Sequence, residues 1–298
     1  MISVNRYLQN VYGRKLYKIS IDAGFTCPVR DGKLDTRGCI FCSARGSGDF
    51  TNRSLDITEQ IEKGKEVLAS KFRSKTEDDL SYIAYFQAFT NTYAPVEELE
   101  RKYMEAVRHP NVAVISIATR PDCLQGEVLA LLERINMIKP VWVELGLQTI
   151  HKKSAEYIRR GYELEIYDEA VRNLNSIGIS QIITHVIFGL PGENRADMLE
   201  TVRYVASSGA TGIKLQLLHV LKGTDLEKDY NAGLFETLTM EEYISLVAEA
   251  VKLLPENMVV HRMTGDGDRK LLVAPLWSTD KKTVLNRINK EIGLSVGN

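Results

Sequence analysis

The 298-residue sequence has almost no excess charge and no long apolar run. Its 38 basic and 39 acidic side chains give a net charge of -1, so no strong overall field draws the chain to nucleic acid or to a membrane. No run approaches the roughly 18 apolar residues of a membrane-spanning helix. The amino terminus also lacks the basic-then-apolar pattern of a secretory signal. We therefore expect a cytoplasmic protein without a membrane partner.

Cysteine is scarce as well, because the chain has four, yet three of them lie in the short stretch from Cys27 to Cys42. In a reducing compartment such grouping indicates metal binding or catalysis rather than disulfides. Three explanations compete for Cys27, Cys39 and Cys42: reduced structural thiols, zinc, or an iron–sulfur cluster. A structural zinc has four ligands, and a second pair at the usual spacing is missing. Three thiolates instead favour a cluster that leaves one iron open for another ligand.

Apolar strands alternate with amphipathic helices along the chain. Six strands are predicted, beginning near Leu16, Ser81, Val112, Val141, Ile182 and Gly212. Asp56 with Glu59, and Thr239 with Glu242, have the spacing of helix capping boxes. Apolar strands in this alternation predict an α/β fold with a parallel sheet covered by helices. Six βα units favour a partial (β/α)6 barrel, with a doubly wound sheet as the alternative.

We expect residues 1–255 to form this barrel core, with the cysteine loop over residues 22–55. Residues 256–298 are then a C-terminal extension packed on the core, with an obvious turn at Thr264 to Asp268. Parallel strands of both candidate folds present ligands at their C-terminal ends. Because the cysteine loop follows the first strand, it lies at that end.

Polar residues follow or interrupt several of these strands. Thr90 and Asn91 follow the second strand, and Gly189 and Gly192 let the backbone approach a ligand after the fifth. Glu144 and Gln148 are four residues apart on the fourth strand and therefore face the same side. A charge in an apolar strand requires a reason, either a ligand or a structural ion pair.

Two further side chains have a functional and an ordinary interpretation. His185 lies inside the fifth strand, either as a ligand contact or as a core histidine with satisfied hydrogen bonds. Asp122 is predicted to cap a helix, which would place Cys123 at a helix N-terminus and lower the pKa of its thiol. A small buried thiol is the alternative for Cys123.

The segment Cys39-Ile-Phe-Cys42 resembles the Cys-x-aromatic-Cys end of the signature of radical S-adenosylmethionine (SAM) enzymes. Eleven residues separate Cys27 from Cys39, far more than in the commonest family pattern, and longer insertions occur in the branch of the Elongator catalytic subunit. From the cysteine loop to Asp266 and Gly267 the chain is similar to the small Elongator-like proteins of the YhcC/YtqA group.

This resemblance implies a [4Fe-4S] cluster on Cys27, Cys39 and Cys42. It also implies SAM as cofactor, bound at the open iron and cleaved to a 5'-deoxyadenosyl radical that takes hydrogen from the substrate. The expected SAM contacts are Thr90, Asn91, Glu144, Gln148, Arg160 and His185. Of these, Arg160 is expected to bind the SAM carboxylate, with Arg159 beside it as a substitute.

The resemblance further implies tRNA as the substrate and an electron donor such as flavodoxin or ferredoxin. Because 298 residues leave no room for an acetyltransferase domain, we expect remodelling of an existing wobble-uridine side chain. Phosphate contacts or ordinary solvated surface are the two interpretations of the basic residues Arg101, Lys102, Lys152, Lys153, Arg159, Arg160, Arg269 and Lys270. A small-molecule substrate and a non-catalytic iron–sulfur redox protein stay as alternative functions.

Overall fold

A computed structural model describes residues 1–46, 56–69, 80–265 and 267–293. The strands are β1 (Ile2–Ser3), β2 (Leu16–Ile21), β3 (Ser81–Phe86), β4 (Val112–Thr119), β5 (Val141–Gln148), β6 (Gln181–Phe188), β7 (Gly212–Leu217), β8 (Val220–Leu221), β9 (Val259–Arg262) and β10 (Leu272–Ala274). The helices are α1 (Val4–Tyr12), α2 (Ile57–Ala69), α3 (Val96–Arg108), α4 (Gly126–Ile138), α5 (Lys152–Tyr157), α6 (Leu164–Ser176), α7 (Arg195–Ser207), α8 (Asp225–Asn231), α9 (Met240–Lys252) and α10 (Lys281–Glu291).

Eight of these strands form one parallel sheet, in the order β1-β9-β7-β6-β5-β4-β3-β2. The six predicted strands are confirmed as β2 to β7, and consecutive strands pair side by side. The sequence analysis missed β1 and β9, which extend the sheet beyond β7. Both are short, two and four residues, so they show little of the alternating pattern from which strands are recognised.

The inner face of the sheet is layered, because every second residue of a strand points inward. Trp142, near the start of β5, packs in an apolar layer that α1 covers through Leu8. Other strands contribute early residues to this layer, namely Leu16, Ile83, Val114 and Ile183. Each such buried side chain stabilises the fold by about 1.5–3 kcal/mol. The next inward residue of β5 is Glu144 and the last is Gln148, so the interior becomes polar toward the C-terminal ends of the strands.

Helices cover the outer face and bury the main hydrophobic core. Both predicted capping boxes are confirmed: Asp56 and Glu59 exchange side chain to backbone hydrogen bonds, and so do Thr239 and Glu242. Gly64 lets α2 lie close to β2, since a Cβ there would come within 2.4 Å of Cγ2 of Ile19. The part of the predicted cysteine loop from residue 47 to 55, and Phe72 beyond α2, lie outside the described residues.

After α9 the chain returns to the sheet as β9 and then forms the antiparallel pair β8–β10 and the helix α10, which packs on α9. Ala274 precedes a cis proline, Pro275, which leads into a 3-10 turn at Leu276–Thr279. The boundary at residue 255 between core and extension stays a prediction. No helix within the described ranges is both long and apolar enough to cross a membrane.

Candidate functional site

A cavity of about 290 Å³ opens at the C-terminal ends of the strands, and we call it the cysteine cavity. Its wall includes Cys27, Cys39 and Cys42 from the loop after β2. The other predicted site residues in the wall are Thr90, Glu144, Gln148, Arg160 and His185. The fold therefore brings together residues from the loops and strands of four βα units, those of β2, β3, β5 and β6. Asn91 lies beside Thr90 and is fully buried.

Local hydrogen bonds hold the cysteine loop in place. The amide of Arg30 donates to the carbonyl of Cys27 over 2.8 Å, and the amide of Cys42 donates to that of Cys39 over 3.0 Å. The Arg30 guanidinium donates to the carbonyl of Cys42 over 3.0 Å and to that of Ser43 over 2.6 Å. Thr90 Oγ1 donates to Cys27 Sγ over 3.2 Å, which connects the loop to the end of β3. The thiols thus converge through backbone turns rather than through core packing.

The spread of the thiols bears on which metal group they fit. Among the described histidines, cysteines and carboxylates, the group with all ligand atoms within 4.8 Å of one another is His151, Asp197 and Glu200, and the three thiols do not form such a group. A single zinc ion with Zn–S bonds of about 2.3 Å would hold sulfur atoms roughly 3.8 Å apart. A four-iron cluster binds each thiolate through a different iron, so it does not require its sulfur ligands to lie that close together. Burial raises the pKa of the Cys39 thiol to about 12, and a bound metal would remove its proton.

Glu144 is the centre of a buried polar network that draws on five other strands. Its carboxylate oxygens accept from Lys18 Nζ at 2.7 Å and Ser116 Oγ at 3.0 Å. They also accept from Tyr85 OH at 2.9 Å and His185 Nε2 at 2.8 Å. The remaining donor is the Lys214 ammonium. We call these six residues the Glu144 network.

The charge states of this network follow from burial and from neighbouring ions. Burial by itself would raise the pKa of Glu144, but Lys18, Lys214 and His185 outweigh it and hold that pKa well below its usual range. Burial, with Lys214 nearby, lowers the pKa of His185 to about 4, so the ring is neutral and its Nε2–H donates to the carboxylate. Burial also lowers the pKa of Lys214, and the cations Lys18 and Arg262 act in the same direction.

Two buried amide oxygens are available for a ligand. Asn91 Oδ1 and Gln148 Oε1 have no hydrogen-bond partner within the described part of the chain. The Asn91 amide nitrogen donates to the Ala118 carbonyl over 2.9 Å, which fixes the side chain. Gln148 has φ of 70°, a left-handed conformation that costs a non-glycine residue about 1–3 kcal/mol. Gln148, a strained residue in the cavity wall, and the buried Asn91 beside Thr90 thus offer acceptors that suit ammonium or hydroxyl donors.

Arg160 is buried, and several backbone carbonyls already engage its guanidinium. It donates to Thr149 O at 2.6 Å and, through two nitrogens, to Tyr162 O at 3.1 and 3.0 Å, and it stacks on the Tyr162 ring. Arg159 pairs with Asp225 over 2.8 Å. Arg120 also lines the cavity, where Asp122 holds it through two hydrogen bonds of 2.9 and 2.8 Å.

The prediction that Asp122 caps a helix and activates Cys123 is wrong. Residues Pro121–Cys123 form a 3-10 turn, and α4 begins at Gly126 after the N-cap Gln125. The Asp122 carboxylate pairs with Arg120 instead. Burial raises the pKa of the Cys123 thiol to about 12, and Asp122 adds to this rise. The side chain is the small buried thiol of the alternative interpretation.

The sequence analysis missed Lys18, Tyr85, Lys214, His219 and Arg262 in the cavity wall or the network. Lys214 carried a usable signal, because it is a charged residue in an apolar strand, as Glu144 is. Two apolar strands of one predicted sheet that each contain a buried charge of opposite sign indicate that the two charged side chains pair with each other. Tyr85 carried no such signal, since tyrosine is common in apolar strands.

Comparisons with known proteins show the family to which the chain is similar. The Radical SAM superfamily model matches residues 36–205, and the Radical_SAM C-terminal domain model matches residues 210–293. The YtqA protein of Bacillus subtilis (strain 168) is 45% identical over 291 residues, which cover 97% of this chain and 88% of YtqA.

More distant matches involve Elongator-like proteins. The tRNA uridine(34) acetyltransferase of Methanocaldococcus jannaschii is 26% identical over 197 residues, 63% of this chain and 35% of that protein. The structure of the archaeal Methanocaldococcus infernus Elp3, with an N-terminal deletion, superposes with a TM-score of 0.65 at 17% identity. That superposition covers 94% of this chain and 64% of the Elp3 chain, and it confirms the partial-barrel fold.

Proposed function

Because this chain belongs to the radical SAM superfamily and to its Elongator-like YhcC/YtqA group, we propose that the cysteine cavity binds a [4Fe-4S] cluster and SAM. The observation that carries the proposal is the meeting of three thiols in one cavity with Gln148 Oε1, a buried acceptor that has no partner among the described residues. A bound cluster would supply one electron for the reductive cleavage of SAM to methionine and a 5'-deoxyadenosyl radical. A reducing cytoplasm would keep the three thiols free of disulfides, and a donor of the flavodoxin or ferredoxin class would reduce the cluster.

The residues of the cavity have distinct tasks in this proposal. Cys27, Cys39 and Cys42 hold three irons, and Thr90 orients Cys27 through its hydrogen bond to Sγ. Asn91 Oδ1 accepts from the SAM ammonium, and Gln148 Oε1 accepts from a ribose hydroxyl. Each of these oxygens is buried and lacks another partner among the described residues, so ligand binding satisfies it.

Glu144 and His185 act through the network below the cofactor. Both Glu144 oxygens accept hydrogen bonds from protein donors, and these donors keep the carboxylate ionised and fixed in position. In this proposal one of the two oxygens also accepts a hydrogen bond from the ligand. Arg160 shapes the β5–α5 loop through the carbonyls of Leu147, Thr149 and Tyr162, and its positive charge in the cavity wall attracts the SAM carboxylate. The protein thus supplies orientation and a dry cavity, and the cofactors supply the chemistry.

We infer tRNA as the substrate and the side chain of a wobble uridine as the target. The support is the similarity to a tRNA uridine(34) acetyltransferase, which covers 63% of this chain. A small-molecule substrate is the second candidate, since a cavity of about 290 Å³ has the size of sites that enclose small ligands.

The test is a reaction of the reconstituted protein with SAM, a reductant and tRNA from cells that lack this protein. We expect wild type to form 5'-deoxyadenosine and to change the mass of the wobble nucleoside, measured by mass spectrometry of digested tRNA. Cys42→Ala should lose at least about a thousandfold in turnover, because a cluster ligand is missing. Cys123→Ala should keep turnover and is the matched control, since its thiol is a buried side chain outside the cavity wall.

Three outcomes separate the alternatives. Deoxyadenosine without a nucleoside change would favour a small-molecule substrate. Equal iron content and turnover in Cys42→Ala and wild type would overturn the ligand assignment. Iron without deoxyadenosine in wild type would favour a redox protein.

A further inference from the structure

A second cavity, of about 640 Å³, adjoins the cysteine cavity, and Gly267 and Asp268 line both. Its walls come from the turn after β9 and from the start of α10. Its charged residues are Arg269, Lys270, Lys281 and Lys282 against Asp268 and Asp280. Four cations and two carboxylates give this recess a net charge of +2. We call it the basic cavity.

Backbone groups already engage both carboxylates. Asp268 Oδ1 accepts from the Lys270 amide over 2.9 Å, and Asp280 Oδ1 accepts from the Thr283 amide over 3.2 Å, which caps α10. The hydrogen bond from Thr283, with Arg269 and Lys282 nearby, lowers the pKa of Asp280. These contacts leave the cavity with a cationic character that suits an anion.

The cations come from two segments that a hydrogen bond connects. One Arg269 nitrogen donates to the Thr279 carbonyl over 2.8 Å, which ties the turn to the segment before α10. An arginine fork and lysine ammonium groups around one recess are the donors that proteins use for phosphate. The first turn of α10, an 11-residue helix, adds backbone N–H groups at Lys281 and Lys282.

We propose that the basic cavity binds backbone phosphates of an RNA whose target nucleotide enters the cysteine cavity. This inference rests on the proposed function and adds the surface that holds the substrate. The shared wall at Gly267 and Asp268 places a phosphate next to the opening through which a nucleotide reaches the cofactor. Continuity between the cavities is the reason to prefer RNA over a free anion.

His219 marks the boundary between the cavities. It lines the cysteine cavity, and its ring lies so close to Gly265 and Gly267 that a Cβ at Gly265 would come within 2.4 Å of Cε1. Its Nε2 is buried and has no partner within the described ranges. Burial lowers the pKa of His219 to about 4, and Lys281 and Arg262 add to this effect. A neutral ring with an unused nitrogen is a hydrogen-bonding group for the sugar or base that follows the phosphate.

The structure shows the surroundings of several basic residues for which the sequence analysis left two interpretations. Arg101 pairs with Glu105, Lys152 pairs with Glu163, and Arg159 pairs with Asp225. Arg269 and Lys270 join the two lysines of α10 around one recess.

The experiment measures binding of a fluorescent anticodon stem-loop RNA by anisotropy across a salt titration, with cluster-loaded protein and no reductant. The test variant is Lys281→Gln/Lys282→Gln. Glutamine keeps helix propensity, and loss of positive charge at a helix N-terminus does not oppose the helix dipole. The control is Lys252→Gln/Lys290→Gln, which removes two exposed lysines outside both cavities. Iron content and the thermal midpoint of each variant report intact folding.

We expect the test variant to lose about tenfold in affinity and about 1 to 2 in the slope of log K against log salt, because each lost phosphate contact removes roughly 0.7–0.9. The control should match wild type. Equal affinity and slope in test variant and wild type would overturn the proposal. Competition by inorganic phosphate as strong as by unlabelled RNA would also overturn it, in favour of a free-anion site. Absence of RNA binding by wild type would do the same, whereas deoxyadenosine formation, assayed separately, would still support the radical chemistry.

Discussion

At the scale of single residues, the buried histidines connect the site to the stability of the fold. His185 lies in the Glu144 network and His219 at the boundary of the two cavities, and the pKa of each is lowered to about 4. Between about pH 6.5 and 4 the unfolded chain binds protons at these rings that the folded chain does not bind. The contribution of these two neutral rings to the free energy of unfolding is therefore complete above pH 6.5 and decreases as the pH falls toward 4.

We expect the free energy of unfolding to fall by up to about 1.4 kcal/mol per pH unit for each histidine over this range. Urea unfolding of cluster-free protein at a series of pH values measures it. His219→Gln should show a shallower pH dependence than wild type, because glutamine does not bind a proton in the unfolded chain. Parallel curves for the two proteins would contradict the lowered pKa.

Sequence patterns predicted residue positions better than residue contacts. Glu144 and Gln148 were expected on one face of a strand, and both line the cysteine cavity. The partners of Glu144 could not be predicted, because Lys18 and Lys214 are 126 and 70 residues away in sequence and meet it only when the sheet forms. The backbone bonds of Arg160 likewise depend on the path of the β5–α5 loop. The roles of the SAM contacts stay predictions.

At the scale of elements, the packing of α2 on β2 depends on one glycine. Alanine normally stabilises a helix interior by up to about 1 kcal/mol relative to glycine. At Gly64 the added Cβ would meet Cγ2 of Ile19 at 2.4 Å, so α2 would have to move away from the sheet.

We therefore predict that Gly64→Ala destabilises the protein by about 1–3 kcal/mol, the usual cost of overpacking. Gly126→Ala is the matched control at the start of α4, where nothing lies within 4 Å of the added carbon. It should leave stability unchanged or raise it by less than about 1 kcal/mol. Urea denaturation compares the two variants, and a stabilised Gly64→Ala would show that the helix does not lie so close to β2.

Elements with strong local signals were predicted well. The capping boxes at Asp56 and Thr239 and the strands β2 to β7 follow from local spacing and apolar alternation. The start of α4 was placed wrongly, because Asp122 is a good cap by sequence yet binds Arg120, a partner fixed by the cavity. The short strands β1 and β9 are recognised as strands because β1 pairs with β9 and β9 pairs with β7. No local sequence pattern shows this pairing.

At the scale of the whole molecule, the layering of the barrel explains where the candidate site lies. An apolar layer closes one end under α1, the Glu144 network occupies the middle, and the cysteine and basic cavities occupy the other end. The alternation of strands and helices was enough to predict this end as the site, since parallel strands direct their C-terminal ends to one side. The basic cavity could not be predicted, because its cations meet only after the chain folds back from α9.

The measurement that tests the central claim most directly is electron paramagnetic resonance of anaerobically reconstituted, reduced protein with and without SAM. We expect the spectrum of a four-iron cluster whose g values change when SAM is added, because three cysteines leave one iron free to bind it. A four-iron spectrum that SAM does not alter would contradict SAM binding at an open iron. One tightly bound zinc ion without iron would contradict the assignment of Cys27, Cys39 and Cys42 as cluster ligands.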